Sequence, residues 1–126
     1  MEVVNTTTAS FLISLINIMA NTYQFKGVAL ATGSETALLT AAADETIIIK
    51  SIRVTNNTSN TPTLSFDVAD SSASAEYTIL KTQTLAANTA VEILSVPLVL
   101  EASDAIKATI SSSDSVHFGI SYLVIT

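Results

Sequence analysis

The chain is 126 residues long, carries a formal net charge of −6 and contains no cysteine. At that length one hydrophobic core suffices without metal or disulfide, because such a domain buries roughly two-thirds of its unfolded surface. The five cations, Lys26, Lys50, Arg53, Lys81 and Lys107, are too few for the basic stripe that a phosphate backbone demands, which argues against a nucleic-acid partner.

The absence of thiols excludes disulfides and thiolate metal sites. A hydrophobic fraction of 48% with only 13% charged residues suits a small all-β domain, or one whose exterior is partly covered by partners. Abundant Thr and Ser favour sheets and turns over helices.

Residues 1–20 stand apart from the rest. "SFLISLINIMA" (10–20) is apolar but shorter than the roughly 20 residues that span a bilayer, so no membrane partner is expected. Glu2 is the only charge nearby, and the positive flank of a signal peptide is missing. Two readings stay open. One is an N-terminal arm or short helix that docks on a partner through Phe11, Leu12, Leu15 and Ile16. The other is a misassigned start, with translation beginning at Met19. The domain proper is expected over 21–126.

From residue 22 the pattern is strand and turn. "TYQFKGVAL" (22–30) alternates, with Tyr23 and Phe25 on one face and Gln24 and Lys26 on the other. "ETALLT" (35–40) is short. In "TIIIKSIRVT" (46–55), Ile47 and Ile49 share one parity whereas Ile52 and Val54 share the other. A sheet face cannot change sides without an extra residue, so a β-bulge is expected near Lys50–Ser51. The alternative is a strand buried on both faces, with Lys50 snorkelling. "TNNTSNTP" (55–62) is a loop, and "TLSFDVAD" (63–70) turns Leu64, Phe66 and Val68 inward.

"EYTILKTQTL" (76–85) and "TAVEILSV" (89–96) flank "AANT", which predicts a hairpin. Pro97 then opens "PLVL" and implies a strand start or a sheet edge. "EASD" leads into "AIKATI" (105–110), and "SSSDS" is expected to close a hairpin into "VHFGISYLVIT" (116–126). Strands recurring every 8–12 residues predict an all-β fold, an antiparallel β-sandwich of jelly-roll or Ig-like type with about eight strands. A closed barrel is the alternative. In the last strand Val116, Phe118, Ile120, Tyr122 and Val124 form the core face. The opposite face becomes apolar at Leu123 and Ile125, which therefore need a cover, either the N-terminal segment or another subunit.

Catalysis needs convergent titratable groups, and the sequence does not assemble them. His117 is the only histidine and alternates within a strand. Asp67 with Asp70, and Asp44 with Glu45, offer oxygens for a Ca²⁺ ion but lack regular ligand spacing, so turn capping and solvation are expected instead. Asp104 and Asp114 sit beside serines as turn residues. Asn5, Asn56 and Asn57 match Asn-x-Ser/Thr. The aromatics Tyr23, Phe25, Phe66, Tyr77, Phe118 and Tyr122 are expected mostly at core positions. No enzyme activity, metal or cofactor is expected.

Three stretches carry a resemblance: "TIIIKSIRVTNNTSNTPTLSFDV", "ILKTQTLAANTAVEILSVPLVLEASDAIKATI" and the ending "VHFGISYLVIT". From about Asn21 to Thr126 the layout resembles small β-sandwich virion structural proteins of tailed bacteriophages, either capsid-decorating or tail-associated. Residues 1–18 depart from that pattern. The resemblance implies a virion component, assembled in the bacterial cytoplasm and displayed on the particle; the compact, acidic composition adds the expectation of a noncatalytic capsid decoration. Its implied partners are further copies of itself, as a trimer or other homo-oligomer, and the major capsid protein. A tail or neck component and a carbohydrate-binding or adhesive module are the alternatives. The expected subunit interface comprises Phe11, Leu12, Leu15, Ile16, Leu123 and Ile125.

Overall fold

The computed structural model describes residues 21–126, so Phe11, Leu12, Leu15, Ile16 and the choice of start lie outside the described residues. Nine strands follow in order: β1 (Asn21–Leu30), β2 (Thr36–Thr40), β3 (Thr46–Asn56), β4 (Thr63–Asp70), β5 (Ala75–Thr84), β6 (Ala90–Glu92), β7 (Leu98–Leu100), β8 (Ala105–Ile110) and β9 (Val116–Ile125). They form two antiparallel sheets. The first runs β1-β9-β3-β6, with β7 also paired to β3, and the second runs β2-β8-β4-β5. If β6 and β7 are the two halves of one interrupted strand, this is the eight-strand order of a jelly-roll sandwich.

Each strand forms for the reason its sequence suggests. In β9 alternate residues Val116, Phe118, Ile120, Tyr122 and Val124 are buried, and in β8 Ile106, Ala108 and Ile110 are buried. They meet Leu64 and Phe66 of β4 and Ile47, Ile49, Ile52 and Val54 of β3 in one core. The bulge in β3 is real. Ile49 opposes Tyr122 and Ser51 opposes Ser121, so Lys50 is the extra residue and the buried parity changes across it. Lys50 itself is exposed, as a one-sided strand with a bulge requires.

A carboxylate holds that bulge in place. Glu92 of β6 accepts hydrogen bonds from the Ser51 hydroxyl, from the Ile52 N–H at 2.7 Å and from the Leu94 N–H at 3.2 Å. Partial burial raises its pKa, but these bonds and the Arg53 charge outweigh that and hold it below the ordinary carboxylate value. A second register shift, in β2 between Ala37 and Leu39, lets the adjacent Leu38 and Leu39 both be buried.

Both expected hairpins are corrected. β5 pairs with β4 in the second sheet whereas β6 pairs with β3 in the first, so "AANT" carries the chain between sheets. Likewise "SSSDS" crosses from β8 in the second sheet to β9 in the first. The chain has the polar turn residues of a hairpin at both places, but the strands on either side pair in different sheets. The hairpin that does form is β4–β5, where Asp70 accepts from the Ser72 hydroxyl at 2.8 Å and the Ala73 N–H at 3.2 Å. Pro97 precedes β7, which pairs with β3 alone, in keeping with a proline at a strand start.

Asn56 ties the crossovers together. Its side chain is buried, with Nδ2 donating to the carbonyls of Asn60 (2.8 Å), Leu85 (3.3 Å) and Ala86 (3.2 Å). Its Oδ1 accepts from the N–H and hydroxyl of Thr58, at 3.0 and 2.8 Å. One amide thus anchors both the β3–β4 and β5–β6 connections, because buried backbone carbonyls must find donors.

Candidate functional site

Four of the carboxylates serve the turns. Asp104 is buried and accepts from the Ser71 N–H at 2.9 Å and the Glu101 N–H at 3.0 Å, which ties the β7–β8 turn to the β4–β5 hairpin. Asp114 accepts from the Ser112 hydroxyl at 2.6 Å and from Asn60 Nδ2 at 2.8 Å, bonds that lower its pKa. Asp70 is lowered in the same way, first by Ser72 and then by Ala73. Glu45 accepts from the Ala42 N–H at 2.8 Å and closes the β2–β3 turn.

Asp67 does not join Asp70. It gathers with Glu35 and Glu76, their carboxylate oxygens within 4.8 Å of one another. Lys107, directly opposite Asp67 in the register, reaches this cluster and meets Glu76 at 2.7 Å and Glu35 at 3.7 Å. The hydrogen bond with Glu76 and its charge, with Glu35 adding, raise the lysine pKa. The cluster is therefore a salt-bridged surface group with its own cation. His117 points outward from β9 between Ala29 of β1 and Thr55 of β3.

A different feature stands out on the first sheet. Tyr23 opposes Leu123, Leu123 opposes Ile48, and Ile48 opposes Val99, so an apolar row crosses four strands on the outward side. Ile125 lies two residues further along β9, where Asn21 and Thr46 are its register partners. Tyr23 is 76% exposed, Phe25 71% and Val99 52%. Leu123, Ile125 and Ile48 are half-buried. The outward parity expected for Leu123 and Ile125 is thus observed, and the row gives them neighbours that the sequence did not.

The expectation that the aromatics mostly lie in the core is corrected. Phe66, Phe118 and Tyr122 are buried, but Tyr23, Phe25 and Tyr77 are exposed. In β1 the core-facing parity is the even one, which runs through Val28 and Leu30 and leaves Tyr23 and Phe25 outside. The polar Gln24 faces inward instead and accepts from the Tyr122 hydroxyl at 3.0 Å. Phe25 lies against two glycines that oppose each other, Gly27 and Gly119. A Cβ on Gly119 would come within 3.2 Å of the Phe25 ring, so the glycine leaves room for the ring to lie across the strand pair.

β1 is also an edge. It pairs with β9 on one side, runs for ten residues without proline, and has Lys26 as its one charge. Among the described residues no strand pairs with its other side, and a long edge with so little protection is open to a further strand.

No protein-family model matches the sequence, and no curated protein matches it. Solved structures match in fold. A chain in the structure of infectious bursal disease virus, Gx strain, superposes with a TM-score of 0.54 over 83% of this chain at 11% identity. The VP2 protein of that virus in derived T=1 particles gives 0.53 over 83% at 10% identity. A protein of the Bacillus endospore appendages, described as disulfide-linked pili, gives 0.51 over 85% of this chain and 88% of its own at 6% identity. The chain spans about a third of the viral proteins, 32% and 31% of their lengths. At these identities the likeness is one of fold.

Proposed function

We propose that the protein is a noncatalytic structural subunit of a virus particle, set on the capsid of a tailed bacteriophage as a decorating or stabilising component. The observation that carries this is the apolar row Tyr23–Leu123–Ile48–Val99, laid across four strands on the outside of the sandwich. An outward apolar stripe of that extent marks a surface made to be covered by protein. The fold neighbours lend support, since one is the VP2 protein of virus-derived particles and another belongs to pili. The resemblance to phage virion proteins narrows the setting to a tailed phage.

On this reading the partners are further copies of the chain, arranged as a trimer or other symmetric oligomer, and the major capsid protein. The subunit adds buried area at capsid joints after assembly in the host cytoplasm. A surface with a net charge of −6 keeps it off the packaged genome. The test is the absolute copy number in purified particles, measured against the major capsid protein. A ratio near one, or a simple fraction of it, supports a shell position. A few to some tens of copies would move the protein to the neck or tail, and complete absence would overturn the virion role.

A carbohydrate-binding or adhesive module is the second reading, favoured by the exposure of Tyr23 and of Phe25, whose ring lies against Gly27 and Gly119. Stacking on sugar rings uses aromatics placed in this way. Saturable binding of the protein on a glycan array, abolished by Phe25→Ala, would establish it.

A further inference from the structure

Away from the apolar row, the outer face of the first sheet is floored by small residues. Gly27 and Gly119 oppose each other, Ala29 and His117 form the next outward pair, and Arg53 of β3 flanks Gly119 on its other side. The end of the Phe25 ring rests on both glycines, and the residue is 71% exposed, so most of the ring is open to water. Beyond the ring a shallow groove continues over Gly27, Gly119 and Ala29 to His117. Arg53 stands about 5 Å to the side of Gly119, and His117 about 7 Å along the strand from it. That span suits one sugar ring with its substituents.

Charge selects the kind of sugar. The strands of the first sheet carry Lys26, Lys50, Arg53 and Glu92, a net +2 with His117 neutral. Those of the second carry Asp67, Asp70, Glu76, Lys81 and Lys107, a net −1. The first sheet is thus the cationic one in an acidic protein. Glu92 does not occupy Arg53, because its oxygens are taken by the Ser51 hydroxyl and the Ile52 and Leu94 N–H groups. Among the described residues Arg53 forms no ion pair. Its guanidinium offers a planar fork of donors that matches a carboxylate. The face of an aromatic ring is negative and attracts the C–H groups of a sugar stacked on it. A nucleic-acid strand brings a charge at every phosphate and needs a longer basic track than Arg53, Lys26 and Lys50 provide. One carboxylate on one ring fits Arg53 beside Phe25.

We propose that this groove binds an acidic sugar, a hexuronic acid unit of an anionic glycan, with its ring stacked on Phe25, its carboxylate on Arg53 and a hydroxyl on His117. This rests on the carbohydrate-binding reading and names the sugar class.

The test is calorimetric titration of the full chain with oligogalacturonate and with its methyl ester, which keeps the ring and blocks the carboxylate. The acid is expected to bind about tenfold more tightly than the ester. Arg53→Gln should erase that preference and leave ester binding unchanged, whereas Arg53→Lys should restore part of it. Phe25→Ala should weaken both ligands about tenfold. Lys81→Gln, which removes an exposed cation from β5, controls for net charge and should change neither. Equal binding of acid and ester would overturn the proposal and leave the carbohydrate reading standing. Equal losses in Lys81→Gln and Arg53→Gln would also overturn it, as would tighter binding of oligo(dT). Binding of neither sugar oligomer overturns it as well, and the glycan array then decides whether the carbohydrate reading survives.

Discussion

The outer faces of the two sheets differ in kind although the inner faces are alike. On the second sheet Ser65 opposes Thr109 and Asp67 opposes Lys107, with Glu76 and Glu35 closing around the lysine. Those groups satisfy one another and water. On the first sheet the equivalent positions carry Tyr23, Leu123, Ile48 and Val99, which water does not satisfy. The inner faces share one core and one job. A sandwich of this type is stabilised from within, so its two exteriors are free to diverge, and the divergence points to where a partner belongs.

The largest expected effects should ignore the difference between the sheets. Phe66→Ala in the second sheet and Phe118→Ala in the first each remove a fully buried ring. Each should cost about 3–5 kcal/mol in denaturant unfolding, with similar midpoints. A gap well beyond about 2 kcal/mol would mean that one sheet dominates the core. The double change Leu123→Ser/Ile125→Ser should separate the faces most clearly. Half-buried sites of this kind are expected to lower monomer stability by about 1–2 kcal/mol, yet self-association seen by sedimentation should disappear. Retained assembly would show that the apolar row is not the contact.

Smaller effects come from the polar groups. Glu92 is held below its ordinary pKa in the fold, so its contribution is present above the unfolded value of 4.5 and is lost as pH falls through the folded value. The stability difference between the native chain and Glu92→Gln should therefore be measurable at neutral pH and vanish in acid. It should stay below about 1 kcal/mol because the group is largely solvated. Constancy across that range would place the bulge's stability elsewhere. Lys107→Met, on the polar face, should lower the melting temperature slightly at low salt and not at about 1 M salt, where screening is strong. A salt-independent loss would indicate packing by the lysine stem instead.

Much of the fold was legible because alternation and turn residues are local signals. The strands at 63–70 and 105–110 coincide with β4 and β8, and the parity change in 46–55 pointed to a bulge near Lys50–Ser51, where Lys50 is the extra residue. What failed was pairing. Turn composition at "AANT" and "SSSDS" says that the chain bends, but whether it returns to the same sheet depends on distant partners. Tyr23 and Phe25 were misplaced for a related reason. In β1 the inward parity is carried by Gln24 and Lys26, and nothing local reveals that the aromatics face out. Leu123 and Ile125 were found because the rest of β9 fixes their side. Ile48 and Val99, the other half of the row, were not, since their neighbours come from cross-strand register. Asn56 read as loop chemistry, whereas its acceptors at Leu85 and Ala86 lie far along the sequence.

β9 lies between β1 and β3 in the first sheet. It is the last of these strands to leave the ribosome, and until it arrives both neighbours lack their shared partner. Every connection except β4–β5 and β6–β7 passes from one sheet to the other, so few strands can pair early with the strand just made. Such nonlocal topologies fold slowly and expose open edges while they wait. The strand that joins β1 to β3 is thus made after the other eight, and a chain stopped before Val116 would hold a complete second sheet facing a first sheet from which β1 is detached.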